Sequence, residues 1–480
     1  MEKTWPAVSI AKACEMLTAP GAPFEMETVM IEGRPTRAYK NAPPHLRALF
    51  DASRQWGDRE FIIFDSDRLT YEAHWRAATA LAKVFADRYG VRKGDRVAIA
   101  MRNLPEWSIA FWAGAAIGAV LTPLNGWGTG EDLAYGVSDS AAKVLVADAE
   151  RLTRIEPHLH QLGLTGLVAV HTPREQLGSA DAIEDLIGPP AAYLNLSDEP
   201  APDPGLTPED DATILYTSGT TGRAKGAHGS QRNIMSNLIS IGFSSARAIV
   251  RRTGELPPPP DPNAPQRSML LPVPLFHVTG CHSMLVPTMA GGAKIVFMHR
   301  WSPERALELI ETEKINGTTG VPTMIWQLLE SPDFPNRDLS SIDTISYGGA
   351  AAAPELTEKV KALFPNFWPG QGYGATETSS VATANAGEDY LRHPDSVGLA
   401  VPVDDIRIED PDGNVLPPGG VGEICIYGPN VVKGYWNRPE ATATAFVDGW
   451  YHTGDVGRMD EEGFIYVMDR IKDMLIRGGE

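Results

Sequence analysis

The stretch 216–226, YTSGTTGRAKG, concentrates hydroxyl groups, glycines and one lysine directly after the mostly apolar run 212–215. Glycines allow backbone N–H groups to approach a ligand closely, hydroxyls donate further hydrogen bonds, and Lys225 adds a positive charge. This set of donors is suited to holding phosphate, although a solvated polar turn has a similar composition. The stretch lacks the GK[ST] of a Walker A loop, the GxGxxG of a dinucleotide site and the GxSxG of a hydrolase elbow.

Six further motifs follow along the chain: LPVPLFHVTG at 271–280, SYGGA at 346–350, QGYGATET at 371–378, GEICIYGPNVVKGYWNRPEAT at 422–442, GWYHTGD at 449–455 and DRIKD at 469–473. With the first stretch they resemble the adenylate-forming superfamily, which comprises acyl-CoA synthetases, luciferases and the adenylation domains of peptide synthetases. One departure is Ala224, which stands where the family usually has proline. It should loosen the loop without removing a donor.

The resemblance implies a reaction in which a carboxylate attacks the α-phosphorus of ATP and pyrophosphate leaves. A thiol, usually that of coenzyme A, then displaces AMP. It also implies which residues hold the β and γ phosphates: Thr217, Ser218, Gly219, Thr220, Thr221, Gly222 and Lys225. Thr376 is implied beside the α-phosphate and Glu377 as the ligand of Mg²⁺. Without the resemblance, the spacing of Thr376 and Glu377 favours a helix cap.

The same resemblance assigns the nucleoside, with small residues forming a slot for adenine and an aromatic ring stacking on it. The residues implied for this part are Gly348, Gly349, Ala350, Tyr373 and Gly374. Asp455 is implied to accept hydrogen bonds from the ribose hydroxyls, and Arg470 to approach the same ribose. On its own, Tyr373 reads as a core residue, Asp455 as a turn residue and Arg470 as a surface ion-pair partner.

His277 stands where acyl-CoA synthetases place a residue beside the acyl carboxylate, whereas amino-acid-activating relatives carry an aspartate near there as a counter-charge for the substrate's ammonium. We therefore expect a substrate other than an amino acid, although a histidine among apolar residues can also belong to the core. The family's layout gives these candidates for the acyl pocket: Val278, Met284, Met324, Ile325 and Trp326. Consecutive helix positions point in different directions, so some of the last three must face the core. Such a lining favours a flexible hydrocarbon, and hence a medium- or long-chain fatty acid.

These motifs need a scaffold, and the order of apolar segments predicts one of class α/β. Strand-like and helical segments alternate over 95–148 and again over 212–364, a pattern typical of two doubly wound, mostly parallel sheets with helices on both faces. Short strands split by turns from about 398 predict a small antiparallel β-barrel. The predicted division is a first α/β subdomain (1–200), a second α/β subdomain with the phosphate loop (201–397), the barrel (398–471) and a hinge segment (472–480) with Lys472 at the hinge.

Locally, 61–64 and 69–71 flank the polar DSDR and predict a hairpin. Thr70 is predicted as the N-cap of a helix that Gly90 ends, because apolar residues recur after it at helical spacing.

The bulk composition excludes several classes of protein. With 42 Lys and Arg against 61 Asp and Glu, the formal net charge is -19, which disfavours nucleic acid and anionic membranes as partners. The three cysteines are far apart and show no CxxC spacing, so we expect a reducing, cytoplasmic setting. The most apolar stretch, 109–121, is too short to span a bilayer, and we expect no stable membrane insertion. A homodimer is compatible with the sequence, which does not decide the oligomeric state.

The sequence ends at RGGE, near the point where the family's small C-terminal domain begins. In the family that domain carries a lysine that bridges the carboxylate and the α-phosphate. We therefore expect this chain to be the large domain, to adenylate slowly and to transfer hardly any acyl group to coenzyme A. Two alternatives remain on the same scaffold: a ligase for an aromatic or steroid-like acid, and an adenylation domain that loads a carrier protein. A third, of another class, is a non-catalytic module that binds acyl-AMP.

Overall fold

A computed structural model of the chain describes residues 5–217, 223–259, 261, 263–348, 352–364 and 367–470. The helices are α1 (Ile10–Thr18), α2 (Leu46–Ala52), α3 (Tyr71–Asp87), α4 (Pro105–Ala116), α5 (Gly130–Ser140), α6 (Ala149–Ile155), α7 (Ile183–Ile187), α8 (Gln231–Thr253), α9 (Val278–Gly280), α10 (Val286–Gly291), α11 (Pro303–Thr312), α12 (Pro322–Glu330), α13 (Pro354–Leu363), α14 (Glu388–Arg392) and α15 (Pro439–Ala445). A π-helical turn, Cys281–Leu285, joins α9 to α10. Within this part of the chain no helix is both long enough and apolar enough to cross a bilayer.

The strands number twenty-three among the described residues. They are β1 (Met26–Ile31), β2 (Arg34–Tyr39), β3 (Glu60–Phe64), β4 (Asp67–Thr70), β5 (Arg96–Ala100), β6 (Val120–Pro123), β7 (Val144–Asp148), β8 (Gly166–Val170), β9 (Asp181–Ala182), β10 (Asp211–Thr217), β11 (Lys225–Ser230), β12 (Ser268–Leu271), β13 (Lys294–Phe297), β14 (Gly317–Gly320), β15 (Thr344–Tyr347), β16 (Trp368–Tyr373), β17 (Thr383–Ala386), β18 (Leu399–Ala400), β19 (Asp405–Glu409), β20 (Val421–Tyr427), β21 (Phe446–Val447), β22 (Trp450–Met459) and β23 (Ile465–Arg470).

The first large sheet has the strand order β11-β10-β6-β5-β7-β8-β9. All its pairs are parallel except β10 with β11. Every residue of β7 and β8 is buried. Continuous apolar strands such as these are typical of a parallel sheet covered on both faces, as the alternating pattern predicted.

The second large sheet has the order β18-β17-β16-β15-β14-β12-β13-β3-β4. Its six central strands, from β16 to β3, are parallel, and antiparallel strands complete both edges. The predicted hairpin is β3 and β4, and it forms one of these edges.

Two helices of the main core, α3 and α4, pack against each other and against strands of both large sheets. Every residue of α4 is buried, which fits a helix that is apolar on all sides.

Thr70 caps α3 as predicted: its hydroxyl accepts the N–H of Ala73 over 3.2 Å. The fold class predicted from the sequence is therefore confirmed.

The third sheet is the predicted antiparallel one, with the order β19-β20-β22-β21 and with β23 also paired to β22. It curls around a small core of its own that includes Ile408, Ile424 and Ile465.

Sheet membership does not follow the predicted division at residues 200 and 201. The strands β10 and β11 come after that point but extend the first sheet, whereas β3 and β4 come before it but close the second. Pairing partners this distant in sequence leave no local pattern, because any apolar strand edge can accept another strand.

Candidate active site

One cleft of about 1400 Å³ is lined by residues from both large sheets and from the third sheet. The ends of β10, β15 and β16 contribute Thr217, Tyr347 and Tyr373, and the third sheet contributes Asp455 and Arg470. Crevices at the carboxyl ends of parallel strands are where open α/β folds bind ligands, because loops and unpaired backbone groups converge there.

The two ends of the predicted phosphate loop are held together at this cleft. Thr217 and Lys225 are paired across β10 and β11, and the Thr217 hydroxyl donates to the carbonyl oxygen of Lys225 over 3.4 Å. Both residues line the cleft. The other predicted members of the loop, Ser218, Gly219, Thr220, Thr221 and Gly222, lie outside the described residues.

Lys225 also lies over an aromatic ring that the sequence analysis did not single out. Its Nζ is 4.8 Å from the centroid of the Tyr435 ring, within the range of a cation–π contact. Tyr435 belongs to the motif at 422–442, and this membership was the one sign of its importance in the sequence. Nothing in the spacing of the motifs indicated that it contacts Lys225.

Thr376 and Glu377 lie in a short 3-10 turn, Thr376–Thr378, directly after β16. The capping contact is made by Thr378, whose Oγ1 accepts the N–H of Ala375 over 2.9 Å. Thr376 and Glu377 both line the cleft. Thr378, rather than Thr376 or Glu377, therefore makes the capping contact.

The Glu377 side chain is a buried carboxylate, with 7% of the residue exposed. Its Oε1 accepts the hydroxyl of Tyr435 over 2.7 Å, and its backbone oxygen accepts the N–H of Val432 over 2.9 Å. No Lys, Arg or His nitrogen of the described residues lies within ion-pair distance of it. A buried carboxylate without a cation is costly, and a carboxylate oxygen is the ligand that Mg²⁺ prefers. The residues present thus fit the predicted metal.

Tyr373, Asp455 and Arg470, which the resemblance assigned to the nucleoside, lie together. The Tyr373 hydroxyl donates to Oδ2 of Asp455 over 2.7 Å, and Nε of Arg470 lies 3.3 Å from Oδ1. Burial, followed by the nearby Asp455 charge, raises the pKa of Tyr373 well above its usual value, so its hydroxyl stays protonated as a donor. The Arg470 side chain is 66% exposed against 17% for Asp455, so the arginine is a weak and adjustable partner.

The glycines of the nucleotide motif differ in their surroundings. A Cβ on Gly374 would lie 1.6 Å from the carbonyl oxygen of Ser380, so this position requires glycine. Gly348 lines the cleft, and no atom of the described residues lies within 4 Å of a Cβ placed on it. Gly349, Ala350 and Lys472 lie outside the part of the chain that the structure describes.

His277 lines the cleft at the N-terminus of α9. The backbone N–H of Thr279 donates to its Nδ1 over 3.2 Å. The ring opens into the cleft, but the surrounding walls desolvate it and lower its pKa below the usual value. A neutral imidazole that accepts at Nδ1 carries its proton on Nε2, so His277 offers a hydrogen-bond donor.

The acyl-pocket candidates are divided by the structure. Val278 lines the cleft, whereas Met284 and Ile325 are buried in hydrophobic core clusters, and Met324 and Trp326 pack against such clusters. The Trp326 ring instead faces Nζ of Lys359, 4.9 Å from its centroid. None of these four is part of the cleft wall, because the helical turn directs them toward packed neighbours.

The cleft is also lined by residues that were not among the predicted substrate residues. α8 packs against β17 and against the π-helical turn, and it contributes Ile241, Ser244 and Ser245 to the cleft. The strands β16 and β17 contribute Gly370, Gln371, Gly372, Ala384 and Asn385. Gln371 and Gly372 belong to the motif at 371–378, whereas the other positions fall outside the family motifs and are revealed only by the three-dimensional arrangement.

Comparison with known proteins identifies the relatives of this site. A family model described as AMP-binding enzyme matches residues 49–436. The chain is 33% identical over 392 residues to a feruloyl-CoA synthase of Amycolatopsis sp, covering 82% of this chain and 71% of that protein. It is also 33% identical over 413 residues to the long-chain-fatty-acid–CoA ligase FadD13 of Mycobacterium tuberculosis, covering 86% and 75%.

A solved structure gives the same result. The inhibitor-bound N-terminal domain of FACL13 from Mycobacterium tuberculosis superposes with a TM-score of 0.75 at 28% identity, covering 89% of this chain and 100% of that one. The chain therefore belongs to the AMP-binding enzyme family, within the adenylate-forming superfamily, and corresponds to the large N-terminal domain of the AMP-forming acid–CoA ligases.

Proposed function

We propose that this protein activates a carboxylic acid with ATP to an acyl-adenylate and pyrophosphate, and that the acyl group then passes to coenzyme A. The observation that carries the proposal is that Lys225, Glu377, Asp455 and His277 line a single cleft although they come from four separate segments. No solvated turn or isolated helix cap explains why these four groups converge.

In the first step a carboxylate oxygen of the acid attacks the α-phosphorus, and the bond from that phosphorus to the pyrophosphate oxygen breaks. Charge develops on the leaving pyrophosphate, where the Lys225 ammonium and the Thr217 hydroxyl provide a positive charge and a donor. Mg²⁺, when bound through Glu377, would supply further positive charge to the phosphates. Asp455 accepts from the ribose hydroxyls, and the Tyr373 ring offers a face for adenine.

His277 would hold the carboxylate. With its proton on Nε2, the neutral imidazole donates a hydrogen bond to one carboxylate oxygen and leaves the other to attack. In the second step the thiol of coenzyme A attacks the acyl carbonyl carbon, and AMP leaves with the bonding electron pair.

For the acid, we favour a compact aromatic substrate that carries a hydroxyl group, of the hydroxycinnamate kind. The cleft lining includes the small residues Gly370, Gly372 and Ala384, which leave room for a flat ring, together with the polar side chains of Ser244, Ser245 and Asn385. The feruloyl-CoA synthase resemblance is in line with this choice.

A medium- or long-chain fatty acid, as the sequence predicted, is the second candidate. It is supported by the resemblance to a long-chain-fatty-acid–CoA ligase and by apolar cleft residues such as Ile241, Val278 and Val381. Of the five residues predicted to line its pocket, Val278 lines the cleft, and the other four lie in or against hydrophobic core clusters.

The test is acid-dependent pyrophosphate release and thioester formation by the full-length gene product. The panel pairs 4-hydroxycinnamate with cinnamate, octanoate and palmitate. Highest activity with 4-hydroxycinnamate supports the first substrate class, whereas turnover of the two fatty acids alone replaces it with the second. Glu377→Gln should abolish magnesium-dependent release, and Glu304→Gln, at an exposed position of α11, should retain it. No release with any acid in the presence of ATP and Mg²⁺ would contradict the proposed reaction.

A further inference from the structure

Three side chains of different chemical type meet on the third sheet. Glu409 is on β19, Cys425 on β20 and His452 on β22, and one donor atom of each lies within 4.8 Å of the others. The Cys425 Sγ is 3.4 Å from Nδ1 of His452. Carboxylate, thiol and imidazole are the three ligand types that proteins use for Zn²⁺.

The sheet fixes this arrangement. Cys425 lies opposite His452 on one side and opposite Arg407 on the other. Glu409 is two residues from Arg407 and therefore points to the same face of the sheet. Because the three groups come from adjacent hydrogen-bonded strands, their separations are set by backbone pairing rather than by loops.

The distances match a tetrahedral centre. With a Zn–S bond of about 2.3 Å and a Zn–N bond of about 2.0 Å, a tetrahedral angle separates sulfur and nitrogen by about 3.5 Å. The observed separation of 3.4 Å between Sγ and Nδ1 meets this value. An ion at this position would need only a modest approach of the Glu409 carboxylate.

The local charges also favour a cation. Glu409 pairs with Arg407, and a second carboxylate, that of Glu423, lies 3.1 Å from Nδ1 of His452. Burial and the neighbouring carboxylates raise the pKa of the Cys425 thiol, so an incoming cation would displace its proton to solvent. With Cys425 then a thiolate, three negative charges would face one guanidinium. A bound divalent cation brings the sum to zero, which removes the cost of clustering anions in a poorly solvated place.

An ion could reach this place from the cleft. Cys425 is fully buried and Glu409 is 5% exposed, but His452 and Glu423 both line the cleft wall. The thiolate and imidazole would select Zn²⁺ or Co²⁺ over Mg²⁺, which prefers oxygen ligands. This site would therefore not compete for the magnesium assigned to Glu377.

We propose that Glu409, Cys425 and His452 form a binding site for a thiophilic divalent cation such as Zn²⁺, with a fourth position left for water or Glu423. The ion would link three neighbouring strands of the third sheet, beside the segment that carries Asp455. This site is independent of the acid that the enzyme uses.

The test is titration of the metal-free full-length protein with Co²⁺, followed by absorption spectroscopy. We expect a thiolate-to-cobalt charge-transfer band in the near ultraviolet that disappears when Zn²⁺ is added. Cys425→Ser should lose this band, and Cys14→Ser, at a half-buried cysteine of α1, should keep it. Glu409→Gln preserves the shape of the side chain and should shift the titration to higher Co²⁺ concentrations.

Two results would overturn the site: absence of the band in the wild type, or its persistence in Cys425→Ser. Circular dichroism of both cysteine variants shows whether they are folded. If Cys425→Ser fails to fold, the Glu409→Gln titration decides, because an unchanged curve would exclude Glu409 as a ligand.

Discussion

The hydroxyl of Tyr435 donates to Oε1 of Glu377 over 2.7 Å. The same ring lies under the ammonium of Lys225, 4.8 Å from its centroid. One aromatic side chain thus contacts both the lysine of the phosphate loop and the carboxylate assigned to the metal. Burial, and then the neighbouring Glu377 charge, raises the pKa of Tyr435 far above its usual value, so the hydroxyl remains a donor.

Tyr435→Phe separates the two contacts, because it keeps the ring under Lys225 and removes the hydrogen bond to Glu377. Hydrogen bonds to charged groups contribute about 1.5–3 kcal/mol, so we expect acid-dependent pyrophosphate release to fall by roughly tenfold to a hundredfold. Tyr435→Leu should fall further, since it also removes the ring. Tyr427→Phe, which loses a bond to the buried Thr36 and does not contact Glu377, is the control. Equal activity of Tyr435→Phe and wild type would show that Glu377 needs no positioning.

Gly374→Ala tests whether the backbone before Thr376 is as tightly confined as the structure indicates. The added Cβ would lie 1.6 Å from the Ser380 carbonyl oxygen, so the turn that carries Glu377 must shift. Overpacking of this kind costs about 1–3 kcal/mol, and we expect a loss of magnesium-dependent ATP binding measured by calorimetry.

Gly242→Ala is the matched control for that change. Its nearest neighbour would be Phe24 at 3.7 Å, an ordinary contact, and alanine favours the interior of α8. We expect unchanged ATP binding and slightly higher stability. Normal ATP binding by Gly374→Ala would contradict the close packing described here.

The sequence indicated cleft residues where a motif carries the family resemblance. Thr217, Lys225, Glu377 and Asp455 are such residues, and all four line the cleft. The partners that hold them, such as Tyr435, were not predictable, because contacts between distant strands leave no trace in spacing.

The acyl pocket shows a second limit. Its predicted lining came from a helix and a turn whose side chains could face either the core or the cleft, and the sequence cannot distinguish the two directions. Ser244 lies on a face of the long helix α8 that carries both polar and apolar residues, so periodicity alone would place it on an ordinary helix surface. The fold class was easier to predict, because buried parallel strands are apolar throughout.

His282 makes the stability of the protein sensitive to acid. Burial lowers its pKa to about 4 from an ordinary value of 6.5. Between these pH values the unfolded chain binds a proton at His282 that the folded protein excludes. The contribution of His282 to the free energy of unfolding is therefore complete above pH 6.5 and declines as the pH falls toward 4. From pH 7 to pH 5 the loss from this residue is at most about 2 kcal/mol.

The measurement is urea unfolding at pH 7 and pH 5. His282→Asn should lose less stability between the two pH values than the wild type, whatever its absolute stability. His160→Asn, at an exposed position, should behave as the wild type does. If His282→Asn loses as much stability between pH 7 and pH 5 as the wild type, another residue causes the acid sensitivity. The buried His74 is then the next residue to replace.

Ser380 stores backbone strain directly behind the turn that carries Glu377. It has a φ of +109°, which side chains rarely adopt, and its hydroxyl is 2.6 Å from that of Ser283 in the π-helical turn. Its N–H donates to the carbonyl oxygen of Ala375 over 3.1 Å, which closes the turn.

Ser380→Ala removes the hydroxyl bond but keeps the strain, whereas Ser380→Gly removes both. Strained positions of this kind cost about 1–3 kcal/mol and glycine's extra chain entropy about 0.5–1 kcal/mol, so in urea unfolding Ser380→Gly should be more stable than Ser380→Ala by about 1 kcal/mol. Ser283→Ala loses the same bond without changing φ and should match Ser380→Ala. If Ser380→Gly is instead the least stable of the three, the conformation at Ser380 carries no strain and the contact with Ser283 alone holds the turn.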